Sequence, residues 1–246
     1  MRELADALAE ELASGLRRVV LDSTYLTRAT RSYVIDATSR HGLAARCIWL
    51  DTPLAQAQRN MVERALERLG SLPTPDELRT LARRGDGVLA PTSQMRALRE
   101  LEPPSTDEGW ASIEHIHFVR TPSPRATRAG VFVAAAALTD AGWEEALARG
   151  DPDAPHLAFD WSPDGSVEEL APVAAKLAAE VTGPVESAIC PHPGGPPSCW
   201  CRPPLPGLPL AFARAHHVDP SRSTLTGARP AHRTLAAALG ARYLNT

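Results

Sequence analysis

The chain has 246 residues, a formal net charge of -3, 43% hydrophobic and 22% charged residues, enough for one large or two small domains with real cores. This balance excludes a broadly basic nucleic-acid binder, although arginines cluster in the first half. No apolar run is long enough to span a membrane and no signal peptide is evident, so a cytoplasmic protein is expected.

Leu4, Leu8 and Leu12 predict a helix over 2–14, ended by Gly15. Val19-Val-Leu21 reads as a short buried strand running into Asp22-Ser23-Thr24, followed by a helix over 28–41. A strand at 46–50 closes on Asp51-Thr52-Pro53, and the next helix carries Arg59, Asn60, Arg64 and Arg68. A shorter arginine-bearing helix covers 76–84, and a loop at 101–109 leads to an alternating strand at 113–120. His115 and His117 alternate on that strand and so share one face, as metal ligands or as plain surface histidines.

A Pro- and Arg-rich linker is expected at 121–128, separating a domain over 1–120 from one over 129–246. In the second, strands are predicted at 131–133, 157–160, 185–189, 223–226 and 242–244. Helices are predicted around 142–149 and over 166–181, 207–217 and 231–239. His216, His217 and Asp219 are expected at the surface. Helices alternating with short buried strands define an α/β fold with two three-layer, parallel-sheet domains. Ligands in such sheets bind beyond the carboxyl ends of the strands, which draws attention to Asp22, Ser23, Thr24, Asp51 and Thr52.

Three of the four cysteines stand in Cys190-Pro-His192-(x6)-Cys199-Trp-Cys201. Three thiols and an imidazole suit Zn²⁺, and four protein donors with no open position describe a structural site. Pairing of two of the cysteines in a disulfide is the other reading of the spacing. Lys176 is the only lysine, so a mechanism that needs lysine must use it or do without.

Val20-Leu-Asp-Ser-Thr-Tyr-Leu-Thr-Arg28, Trp49-Leu-Asp-Thr-Pro53, Arg59-Asn60 with Arg64, and Leu101-Glu-Pro-Pro-(x4)-Gly109 resemble the back half of a P-loop polynucleotide kinase. The resemblance implies that Arg59 and Arg64 are lid arginines over a nucleoside triphosphate and that Asp22, Ser23 and Thr24 line the acceptor. Charge patterning alone reads the arginine-bearing helix as a solvated basic face. No Gly-x-x-x-x-Gly-Lys-Ser/Thr cradle occurs, and no lysine precedes Lys176.

From about residue 120 the chain resembles the haloacid-dehalogenase (HAD) phosphatases of the histidinol-phosphate and heptose-bisphosphate type. The specific elements are the strand into Cys-x-His, the Pro/Gly loop, Cys-x-Cys-Arg202, and Pro204-x-Pro-Gly207. The resemblance implies structural zinc on Cys190, His192, Cys199 and Cys201. Together the halves resemble bifunctional polynucleotide kinase–phosphatases.

The residues that carry the phosphatase reaction are replaced. Alanines 134–137 stand where Asp-x-Asp is expected, Phe159 where the second strand should end in Ser or Thr, and Pro203 in place of the phosphate-binding lysine. Gly227-Ala-Arg-Pro-Ala-His232 replaces the acidic pair that holds Mg²⁺. The expectation is a degenerate kinase–phosphatase-like protein that binds nucleotide, nucleic-acid ends or a partner protein. One alternative is a piece of an active ATP- and Mg²⁺-dependent polynucleotide 5′-kinase with its cradle encoded before Met1. Another is a HAD-type phosphatase with atypical residues. A sheet short of its first strand would also expose apolar surface, favouring self-association or a covering partner.

Overall fold

The computed structural model describes residues 2–16 and 18–246, with backbone only for Arg2–Ala5. In chain order come α1 (Arg2–Ala13), α2 (Arg28–Arg40), β1 (Arg46–Asp51), α3 (Leu54–Leu69), α4 (Pro75–Arg84), α5 (Pro91–Glu100) and β2 (Ser112–His117). They are followed by β3 (Val131–Ala134), α6 (Trp143–Leu147), β4 (His156–Trp161), α7 (Ala171–Ala178) and β5 (Val185–Cys190). The last elements are α8 (Gly207–Ala215), β6 (Thr224–Gly227), α9 (Pro230–Leu239) and β7 (Arg242–Asn245). All strand pairings within the two sheets are parallel, so the fold is α/β.

The chain divides into two compact units, Met1–Pro53 with Met95–Val119, and Leu54–Gln94 with Arg120–Thr246. This differs from the boundary expected at 121–128, because the apolar faces of α3 and α4 belong to the second unit's core. Met61, Val62, Ala65, Leu66 and Leu78 cluster there with Phe132, Phe159 and Trp200. An amphipathic helix goes where its apolar stripe is covered, and here long-range packing decides that.

The first unit holds α1, α2 and the two-stranded sheet of β1 and β2. Leu8, Leu12 and Ala37 form its small core, while the side chain of Leu4 lies outside the described residues. Thr27 caps α2, its Oγ1 accepting from Thr30 N at 3.2 Å, and Thr30 Oγ1 accepts from Thr27 N at 3.2 Å. The strand expected at 19–21 does not form, and Val20 is 80% exposed. With no paired neighbour for their backbone groups among the described residues, three apolar residues do not make a strand. Ile48 and Leu50 are 62% and 69% exposed, so one sheet face keeps bare apolar surface.

The second unit is built on a five-stranded sheet in the order β5-β4-β3-β6-β7. Its central strand is buried along its whole length, and its side chains alternate between two cores. Phe132 and Ala134 face α8, α9 and α3, whereas Val131 and Val133 face Trp143, Leu147 and Leu177. This makes three layers and explains why β3 reads as a continuous apolar run rather than as an alternation. The helix expected over 166–181 is a 3-10 turn at Val167–Leu170 leading into α7. Asp219, expected at the surface, is buried and accepts hydrogen bonds from Ser221 N and Oγ.

Candidate metal centre

β5 ends in Cys190, and the loop that follows folds His192, Cys199 and Cys201 back onto it. Cys190 Sγ lies 3.6 Å from Cys199 Sγ, 3.1 Å from Cys201 Sγ and 3.5 Å from His192 Nδ1. His192 Nδ1 is 3.1 Å from Cys201 Sγ. A zinc tetrahedron with bonds of about 2.3 Å to sulfur separates its ligand atoms by about 3.5–3.8 Å. These four separations therefore fall within about 0.7 Å of that arrangement. All three cysteines are free and buried, which removes the disulfide reading.

Crowding these thiols splits their titration. Cys190 is pushed up to about 11, first by its hydrogen bond with Cys199, while Cys199 is pulled down to about 2 by hydrogen bonds from Cys190 and Cys201. Cys201 is raised, again mainly by its sulfur neighbours. Without a cation Cys190 and Cys201 keep their protons. A divalent ion would take their place and leave a closed ligand set.

The surrounding residues fix the loop. Trp161 Nε1 donates to His192 O at 2.8 Å, and Arg202 donates to the carbonyls of Pro193 and Gly195. Trp200 is fully buried, and its Nε1 donates to Leu89 O at 3.0 Å. Gly207 is required at the start of α8, since a Cβ there would meet Trp200 O at 2.4 Å.

The strand order reverses beside β3, and the crevice between the carboxyl ends of β3 and β6 is the ligand position for this topology. Buried Ala134 and Ala135 stand at the end of β3, and Gly227 ends β6. A Cβ on Gly227 would meet the His232 Cβ at 2.5 Å, so the histidine ring fills this position. Burial, then Arg229, pushes His232 below its usual pKa, and its Nδ1 has no hydrogen-bond partner among the described residues. Asp160 on β4 is close, but its Oδ1 accepts from Trp161 N at 2.7 Å.

The nucleotide-side residues are divided. Asp22, Ser23 and Thr24 belong to the first unit, in an irregular segment, and Arg59 and Arg64 belong to the second. Arg59 is buried, donating to Glu63 at 2.8 Å and to Leu239 O at 3.0 Å, and Arg64 donates to Gly87 O at 3.1 Å. Arg59 and Arg120 line a cleft of about 420 Å³, and both pair with Glu63.

Sequence reasoning missed Arg31, which is buried in the first unit. Its guanidinium meets Glu108 through two 2.7 Å bonds and donates to the carbonyls of Tyr25, Leu26 and Glu102. It thereby ties the 101–109 loop to the start of α2. No local pattern joins residues 31 and 108; only the fold does.

A family model described as an AAA domain matches residues 1–85. No curated protein matches the chain. Among solved structures, the chain is similar to a HAD-superfamily hydrolase of subfamily IA from Geobacter sulfurreducens. That similarity has 14% identity and a TM-score of 0.30, over 81% of this chain and 88% of that one.

Proposed function

We propose that this chain is a kinase–phosphatase-like protein whose second half keeps a zinc-stapled fold without phosphatase chemistry, and that it acts by binding. In this reading residues 1–120 derive from a kinase-like domain and residues 129–246 from a phosphatase-like one. The observation that carries the proposal is the crevice beside β3, where buried alanines and the His232 ring stand where an aspartyl nucleophile and a magnesium site would be needed. The four-donor cluster supports it from the other side, because a closed structural site stabilises the fold whether or not the nucleophile remains. Zinc on Cys190, His192, Cys199 and Cys201 would hold the loop closed and supply no reacting group.

The match over residues 1–85 supports a nucleotide as ligand of the first unit, with Asp22, Ser23 and Thr24 as candidate contacts. Exposed Ile48 and Leu50 support a protein partner or self-association in addition. The test is hydrolysis of phosphomonoesters by the zinc-loaded chain with Mg²⁺. No turnover above the buffer rate is expected, and turnover abolished by Asp160→Asn would overturn the reading.

A further inference from the structure

The first unit holds a second group of donor side chains, separate from the cysteine loop. β1 and β2 pair in a register that sets Trp49 opposite His115 and Asp51 opposite His117. Alternate residues of a strand share a face, so Asp51, His115 and His117 project together at the carboxyl ends of both strands. His115 Nε2 lies 2.9 Å from Asp51 Oδ2. The His115 ring stacks on the Trp49 indole with centroids 4.4 Å apart and planes 13° from parallel, and the His117 ring follows 4.2 Å further on. One donor atom from each of the three residues lies within 4.8 Å of the other two.

We propose that Asp51, His115 and His117 form a solvent-open site for a divalent transition-metal ion such as Zn²⁺ or Ni²⁺. Tetrahedral bonds of about 2.0–2.2 Å set donors on one ion about 3.3–3.6 Å apart. Closing a set whose atoms lie within 4.8 Å of one another therefore asks for at most about 1.5 Å of movement from side chains that are already partly exposed. Two imidazoles select this class of metal over Mg²⁺ or Ca²⁺, which favour all-oxygen ligands. The 2.9 Å separation of His115 Nε2 from Asp51 Oδ2 lets one ion take both as ligands after a small spreading of the pair. The indole stack sets the plane of the His115 ring before any ion arrives. Three protein donors leave coordination positions for water or for an anionic ligand oxygen, at the strand ends where α/β sheets receive ligands.

The full-length chain, with zinc already in the cysteine loop, is titrated calorimetrically with Zn²⁺. Wild-type protein is expected to take up one further equivalent, accompanied by shifts of the His115 and His117 imidazole resonances. The His115→Ala/His117→Ala variant should bind that equivalent more than about tenfold more weakly, a lower bound set by losses seen when only a metal's supporting shell is removed. Asp51→Asn, which keeps the shape of the site, should also weaken it. Absence of a further equivalent in the wild type, or unchanged binding in the double variant, would overturn the proposal.

Discussion

Replacing Glu108 by alanine isolates the Arg31 clamp. The Arg31 and Glu108 side chains are each 4% exposed, so the substitution strands a guanidinium among three carbonyls with no counter-charge. Removing one member of a buried ion pair costs about 3–5 kcal/mol. The remaining carbonyl acceptors argue for the lower end, about 3 kcal/mol, or roughly a hundredfold change in an opening equilibrium. Hydrogen exchange on the full chain reads this at the Glu102 amide, which donates to Leu26 O at 2.9 Å, and at the Glu108 amide, which donates to Ser105 O at 3.1 Å. Exchange there should accelerate about a hundredfold, whereas Arg31→Met/Glu108→Leu should recover much of the protection. The pair also predicts a pH dependence. The hydrogen bond from Arg31, the largest cause, holds the Glu108 carboxyl below its usual pKa. Its stabilisation is therefore complete above the unfolded value of about 4.3 and is lost as pH falls through the lowered folded one. An acceleration under threefold in Glu108→Ala would refute the clamp.

Trp200→Ala should destabilise the second unit by about 3–5 kcal/mol in urea denaturation, because it empties a fully buried site and orphans the Leu89 carbonyl. A loss below about 1 kcal/mol would contradict that packing. Cys199→Ser should release the loop metal and lower the unfolding midpoint of the same unit, and an unchanged midpoint would remove its structural role.

The second unit was legible because its signals are local. β3, β4, β5, β6 and β7 lie where apolar runs end in turn residues, and the four donors of the cysteine loop stand close in sequence, although their spacing alone left metal and disulfide both open. Other features were not. Val19-Val-Leu21 has the composition of a strand, but strand formation depends on a pairing partner that composition does not record. The stripe on α3 says that one face must be covered, not which core covers it. The joining of Arg31 to Glu108, and of Asp51 to His115, requires the register and the fold, since each pair is more than sixty residues apart. α5 was overlooked because Pro91 and the polar residues after it weaken the helical pattern.

Cys190, His192, Cys199 and Cys201 form a closed donor set, and the most direct test of its structural role is the metal content of the chain dialysed against a weak chelator. Elemental analysis should find one zinc retained per chain in the wild type and none in Cys199→Ser, with the loosely held second equivalent removed. A stably folded, metal-free wild-type protein would contradict a structural metal at this site.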